Sequence, residues 1–292
     1  MEIVTSIADA RKARKAGAGA WGLVPTMGYL HAGHLSLVER ARAENEWVAV
    51  SIFVNPTQFG PNEDYASYPR DLERDLALLH EAGVDLVWTP TPEEQYPPGY
   101  QTYVEVEGVT RRLEGAARPG HFRGVATIVA KLFNVLQPDR AYFGQKDAQQ
   151  VVVIRRMTRD LDFPVEIVVC STLREPDGLA MSSRNVYLTP EQRAAAPVLY
   201  GALSAAAAAW AAGERDGEAL RVVMQSILDA EPSARTEYIS AADPDTLEEL
   251  NGPAERALIS LAVRIGRARL IDNILLGAPS WHRGYGWNAS KD

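Results

Sequence analysis

The chain has 292 residues, 46% of them hydrophobic and 23% charged, enough for one large domain or two ordinary ones with proper cores. A formal charge of −8 argues against a general nucleic-acid binder, which needs a basic face to displace counterions, and the single cysteine, Cys170, excludes an internal disulfide framework or a multi-cysteine zinc site. No apolar run approaches the roughly 18 residues that span a bilayer, and MEIVTSIADARKARK lacks the apolar core of a signal peptide, so a cytoplasmic protein off the membrane is expected.

Residues 1–16 read as a short strand and an amphipathic helix. GAGAWG follows and matches the letters of a dinucleotide fingerprint, but Gly17, Gly19 and Gly22 come after a helix and before a strand, the reverse of what that motif requires. They are read as a helix cap and loop. The stretch WGLVPTMGYLHAGHLSLVERARAEN reads as an apolar strand stopped by Pro25, a tight turn at Thr26-Met27-Gly28, and a helix whose first turn contains His34, with His31 just before it. Imidazoles at a helix N-terminus, where N–H groups and the dipole favour anions, suggest phosphate handling.

EWVAVSIFVN reads as a buried parallel strand ending at Asn55-Pro56-Thr57-Gln58-Phe59-Gly60, and polar residues at the carboxyl ends of such strands are where open α/β sheets place ligands. A helix is expected over Tyr68 to Gly83, with Leu72, Leu76 and Leu79 inward and Asp71, Glu73, Asp75 and Glu81 as its solvated face. Then come the strand VDLVWTP, a possible further strand YVEVEGVT, the basic loop Arg118 to Gly124, and the helix VATIVAKLFNVL.

RAYFG, Gln145-Lys146-Asp147 and the helix AQQVVVIRRMTRDL repeat the strand, turn and helix plan. Lys146 is suited to neutralising phosphate charge and Asp147 to accepting bonds from sugar hydroxyls. VEIVVC closes this half, with Cys170 as a buried strand residue. Strands alternating with helices of roughly 10–15 residues predict a parallel sheet with helices on both faces. Hydrophobicity falls near STLREPDG, and a hydroxyl-rich loop, Met181-Ser182-Ser183-Arg184-Asn185, is apt for phosphate. Helices at Thr189 to Gly213 and Gly217 to Glu231, with strands near TEYIS, ALISLAVRI and ARLIDNILL, read as a smaller α+β domain. The expected division is a Rossmann-like domain over 1–174 and a C-terminal domain over 175–292, with the active site in the cleft between them.

The zinc-protease, serine-elbow and P-loop patterns are absent. What remains is a nucleoside triphosphate held by imidazoles, lysine and arginine. PTMGYLHAGH resembles the HxGH signature of the nucleotidylyltransferase superfamily, in the form typical of the pantoate–β-alanine ligase family. Asn55-Pro56-Thr57-Gln58-Phe59, Tyr68-Pro69-Arg70, Arg118-Pro119-Gly120-His121-Phe122, Phe143 to Gln150 and Gly178 to Asn185 resemble further blocks of that family, in the same order.

The resemblance implies an ATP-dependent ligase that joins (R)-pantoate to β-alanine through a pantoyl adenylate. It implies that His31 and His34 bind the phosphates, within a nucleotide-binding run of Met27, Gly28, Tyr29, Leu30, His31, Ala32, Gly33 and His34, with His34 as general acid. Asn55 would support the phosphate region, Gly144 (through its backbone) and Asp147 would meet the ribose, Gln145 would belong to the nucleotide-binding set, Lys146 would contact the phosphates, and Leu173 and Met181 would line the adenine pocket. Ser182, Ser183 and Arg184 would grip the phosphate tail, Gln58 and Gln150 would hold pantoate, and Gln58 would also meet β-alanine. Arg118 is a further candidate. Mg2+ would be carried mainly by phosphate oxygens, with Asp75 as protein contributor, and a homodimer is implied. Gln145 stands where the family often has Glu, and Leu173 where Val is frequent. The rivals are another HxGH nucleotidylyltransferase and a nucleotide-binding module without turnover.

Overall fold

The computed structural model describes residues 1–61 and 63–277, so the end of the expected C-terminal domain, 278–292, lies outside the described residues. The elements begin β1 (Glu2–Val4), α1 (Ile7–Ala16), β2 (Trp21–Thr26), α2 (Ala32–Glu44), β3 (Trp47–Ile52), α3 (Leu72–Glu81) and β4 (Leu86–Trp88). They continue with α4 (Pro92–Gln95), α5 (Leu113–Ala117), α6 (His121–Leu136), β5 (Arg140–Gly144), α7 (Ala148–Asp160) and β6 (Glu166–Cys170). After these come α8 (Pro190–Ala195), α9 (Val198–Ala211), α10 (Gly217–Asp229), β7 (Ala234–Ala242), β8 (Ala257–Ile265) and β9 (Ala268–Leu276). Contacts divide the chain into two compact units. The first comprises Met1–Gly144 and Val153–Cys170; the second comprises Gln145–Val152 and the described residues from Ser171 onward.

In the first unit the apolar runs pair as a six-stranded parallel sheet, in the order β1-β4-β3-β2-β5-β6. Apart from the edge strand β1 this is the doubly wound order, and it reverses direction between β2 and β5, the point at which such sheets open a crevice for ligands. The carboxyl end of β2 therefore sits where the chemistry belongs. Val24, Val48, Val50, Val87 and Val168 are buried in one core cluster with Leu37, Val38 and Ala41 of α2.

Pro25 lies inside β2, opposite Ser51, and does not stop it. Thr26 turns its carbonyl to Phe53 beyond β3, so by alternation the missing N–H of Pro25 faces β5. Pairing on that side covers only Gly22 and Leu23, and no ladder bond is lost. Of the three glycines read as cap and loop, Gly17 caps α1 and Gly19 turns the chain with φ of +101°, but Gly22 lies inside β2, paired with Val48 and Arg140.

The second unit has an antiparallel sheet, β7-β8-β9. Its core joins Leu199, Leu203 and Trp210 of α9 and Leu220, Met224 and Leu228 of α10 to Ile259, Leu261 and Val263 of β8. The stretch Pro190–Ala211 has the length and composition to cross a bilayer, which the sequence reading did not credit. It breaks around Pro197 into α8 and α9, because proline brings no N–H to the helix ladder, and α9 buries its face in this core.

Two further expectations are corrected. YVEVEGVT forms no strand: Val104 gives its N–H to the Thr127 hydroxyl at 3.0 Å in place of a ladder, and Gly108 turns the chain with φ of +76°. On α3, Asp75 is buried at 1% exposure while Leu72, expected inward, is 47% exposed.

Candidate active site

The turn after β2 is built by two consecutive left-handed residues, Gly28 at φ +79° and Tyr29 at φ +52°. This conformation swings the N–H groups of Tyr29 and Leu30 to one side, where the two oxygens of Asp75 accept one each at 2.7 Å. Both oxygens of that buried carboxylate are engaged in shaping the turn. No group of three or more His, Cys, Asp or Glu side chains is placed to hold a metal ion among the described residues. Magnesium bound through nucleotide phosphates needs only one or two carboxylates, and each Asp75 oxygen keeps a lone pair beside the N–H it accepts.

His31 is the N-cap of α2. Its Nδ1 accepts the Gly33 N–H at 3.1 Å, and Nδ1 of His34 accepts the His31 N–H at 3.3 Å, a capping box made of two imidazoles. With both Nδ1 atoms accepting, the proton of each neutral ring resides on Nε2, as a donor. The ring centroids are 4.1 Å apart. Two such donors at the N-terminus of a helix form an anion-binding arrangement.

Asn55 caps the 3-10 turn Pro56–Gln58 and is buried with its amide fully used. Oδ1 accepts from the Thr57 hydroxyl at 2.9 Å and the Tyr96 hydroxyl at 2.8 Å; Nδ2 donates to Gly124 O and to Gln58 Oε1, both at 3.1 Å. The orientation of the Gln58 amide is thereby set, with Nε2 donating to Met27 Sδ at 3.2 Å. Burial, against the hydrogen bonds to Thr57 and Asn55, lifts the Tyr96 phenol to about 12, so it stays a donor. Gly124 lets α6 approach, because a Cβ there would lie 2.4 Å from Thr57 O.

Behind Gln58, Arg118 makes a two-pronged pair with Glu63, 2.7 Å at each contact, and donates to His121 Nε2 at 3.1 Å. His121 Nδ1 then donates to Gln58 O at 2.8 Å. Burial first, then the Arg118 charge, holds His121 down to about 4, so it is neutral. Burial raises the Glu63 carboxyl, but Arg118 more than reverses this and leaves it below the usual range. Arg118, the further candidate, is therefore committed to Glu63, His121 and the Gln58 backbone.

In the second unit Gln145–Asp147 is a 3-10 turn entering α7, with Lys146 Nζ 3.8 Å from Asp147 Oδ1 and Gln150 in the following helical turn. Leu173 O accepts the Met181 N–H at 3.0 Å and Arg174 bridges Ala180, forming a small hairpin that presents Leu173 at 39% exposure. Ser182 caps the turn Ser183–Tyr187 by accepting the Arg184 N–H at 3.3 Å, and Ser183 is buried. Gly144 ends β5 in the first unit, and an added Cβ there would meet nothing within 4 Å. Cys170, last in β6, has its thiol raised to about 11 by burial and stays protonated.

The sequence reading missed Asp272 and Asn273, both 3% exposed, which hold the Lys146 turn and the Leu173 hairpin. Their signal was legible: two adjacent polar residues interrupt the apolar strand ARLIDNILL, where Asp and Asn are otherwise depleted. His121, quoted only within the Arg118–Phe122 block, and Glu63 were given no role, since a single residue at a helix start or in a loop carries no periodic signal.

A doubly wound sheet with an HxGH turn at its reversal point defines an HxGH-type α/β protein. The chain belongs to the pantoate–β-alanine ligase family, whose model, described as Pantoate-beta-alanine ligase, matches residues 2–275, and it is accordingly an enzyme of the ligase class. It is 68% identical over 278 residues to the pantothenate synthetase of Chloroflexus aggregans, covering 94% of this chain and 100% of that protein. The crystal structure of pantothenate synthetase from Thermus thermophilus superposes with a TM-score of 0.90 at 55% identity, over 94% of this chain and 99% of that one. The pantoate-beta-alanine ligase of Francisella tularensis, solved with beta-gamma ATP and beta-alanine, matches with a TM-score of 0.77 at 38% identity, over 94% and 97% of the two chains.

Proposed function

We propose that the chain condenses (R)-pantoate with β-alanine at the expense of ATP, through an enzyme-bound pantoyl adenylate. The observation that carries this reading is the double imidazole cap of α2, with the proton of each neutral ring on Nε2, at the reversal point of the sheet. A pantoate carboxylate oxygen attacks the α-phosphorus and pyrophosphate leaves with its bridging oxygen. His31 and His34 donate from Nε2 to the charge that develops there; His34 occupies the general-acid position but, as a neutral ring, acts there by hydrogen-bond donation and keeps its proton. Lys146 neutralises phosphate charge, and Ser182, Ser183 and Arg184 hold the phosphate tail. Asp147 and the backbone of Gly144 meet the ribose beside Gln145, Leu173 and Met181 line the adenine pocket, and Asn55 supports the phosphate region through the Gln58 turn. Gln58 and Gln150 hold pantoate. The β-alanine amine, guided by Gln58, then attacks the acyl carbon, loses a proton and expels AMP. Adenylation of this kind depends on positioning and charge neutralisation more than on covalent catalysis.

Magnesium entering with ATP would be carried mainly by phosphate oxygens in this reading, with Asp75 contributing through a lone pair left beside its turn hydrogen bonds. The same reading includes a cytoplasmic homodimer, which light scattering on the purified chain would test. The deciding experiment is pyrophosphate–ATP exchange. Exchange is expected to require pantoate and to proceed without β-alanine. ATP binding without pantoate-dependent exchange would leave a nucleotide-binding module in its place.

A further inference from the structure

Asp272 and Asn273 are neighbours in the middle of β9, opposite Leu261 and Ser260 of β8. Burying two polar side chains in a strand is costly unless each is partnered, and here the partners outside β9 lie at the Lys146 turn and the Leu173–Met181 hairpin. Asn273 Nδ2 donates one hydrogen to Gln145 O and the other to Lys146 O, both at 2.9 Å, while Oδ1 accepts from Gln145 Nε2 at 3.3 Å. Asp272 receives Arg174 through two contacts, Nη1 to Oδ2 at 2.5 Å and Nη2 to Oδ1 at 3.0 Å. Its Oδ1 also accepts the Asn273 N–H at 2.8 Å, tying the two residues together. Arg174 in turn donates to Gly178 O at 3.1 Å and lies 4.2 Å over the Tyr200 ring, bracing the hairpin between Leu173 and Met181.

The 3-10 turn at 145–147 is three residues long and runs directly into α7. Its first two carbonyls are fixed by one amide from a strand more than a hundred residues away. Clamping the peptides on both sides of the Lys146 Cα fixes the direction in which the lysine leaves the backbone.

We propose that Asp272 and Asn273 are positioning residues: the β9 pair anchors the Lys146 turn through Asn273 and, through Arg174, the hairpin bearing Leu173 and Met181. The proposal rests on the reading of Lys146 as the phosphate-binding group. Packing alone would need apolar side chains at these strand positions. The polar pair supplies instead a fixed spacing between two nucleotide-contacting segments within the second unit.

The test is pantoate-dependent pyrophosphate exchange on the full chain for wild type, Asn273→Leu, Lys146→Ala and the double variant, with a thermal melt for each. Asn273→Leu keeps the side-chain volume and removes every hydrogen bond. It is expected to lower the maximal exchange rate about 10- to 100-fold, as a misplaced catalytic group does, with little change in the pantoate KM. In the Lys146→Ala background the same substitution is expected to lose most of its effect. Equal losses in both backgrounds, or no loss with Lys146 present, would overturn the clamp. Undiminished exchange in Lys146→Ala would remove the reading beneath it and the clamp with it. A slow Lys146→Ala beside a normal Asn273→Leu would sink the clamp alone. If Asn273→Leu fails to fold, Asn273→Ser, which retains a shorter donor, is read in the same way.

Discussion

The carboxylate of Asp75 on α3 accepts the N–H of Tyr29 at 2.7 Å, across a sequence separation of 46 residues, and takes Leu30 with its other oxygen. This contact compensates for the left-handed backbone at Tyr29, a conformation that costs of order 1–3 kcal/mol for a residue with a side chain. The turn that aims His31 is thus held from another helix. Asp75→Asn replaces an acceptor by a donor against a buried N–H, so it is expected to lower stability by about 1–3 kcal/mol and to slow pantoate-dependent exchange. Gly28→Ala should act in the same direction, because a Cβ there would sit 3.0 Å from both Asp75 Oδ2 and Ile52 in a backbone conformation that already disfavours it. Wild-type melting and exchange in both variants would refute this account of the turn.

His34→Ala and Lys146→Ala are each expected to raise the barrier of the first step by several kcal/mol, roughly 2.7–4 kcal/mol for a lost electrostatic group. His34→Ala also removes half of the imidazole capping box, so its melt should shift by about 1 kcal/mol at most, an effect separable from the rate. Pre-steady-state formation of the adenylate from ATP and pantoate measures the step directly. Near-normal rates in both variants would refute these roles.

Gln58 is the side chain most closely preset for a small polar substrate, since Asn55 fixes its amide and His121 fixes its carbonyl. Gln58→Leu is expected to reduce kcat/KM for pantoate about 10- to 100-fold, with the ATP KM nearly unchanged. Steady-state kinetics in each substrate separates the two. A matching rise in the ATP KM would move Gln58 from substrate recognition to general support of the turn.

The sheet and the two strand-to-helix turns were legible because β2, β3, β5 and β6 are unbroken apolar runs bounded by glycine, proline and polar residues. The HxGH turn was legible because imidazoles beside a helix start have few other physical readings. What stayed hidden was the support behind these groups. Asp75 reads as one more acid on an acidic helix, and only the fold turns it toward Tyr29. YVEVEGVT alternates as a strand should, yet alternation specifies only a face, and no neighbouring strand takes it up. For Asp272 and Asn273 the break in the apolar run ARLIDNILL was legible, but its purpose was not, because the partners at Arg174, Gln145 and Lys146 are remote in sequence.

The buried histidine behind Gln58 gives a pH-dependent stability with a definite sign. His121 donates from Nδ1 to Gln58 O and accepts at Nε2 from Arg118, so a second ring proton would face a guanidinium. Its folded value, near 4, lies below the ordinary 6.5. The unfolded chain therefore takes up the proton first as pH falls. His121 contributes stability that is complete above about 6.5, drains away as pH drops toward 4, and is flat below that. At about 1.4 kcal/mol per pH decade of displacement, the loss over the window is roughly 3 kcal/mol. Glu63, also held low, loses stability in the same direction but only below its ordinary 4.5, so the interval from 6.5 to 4.5 separates the histidine from Glu63, and comparison with a variant lacking the ring separates it from the other groups. His121→Asn retains a donor for Gln58 O without the titration. Urea unfolding between pH 6.5 and 4.5 should show the wild type losing stability more steeply than His121→Asn, and parallel slopes would refute the neutral, doubly bonded ring.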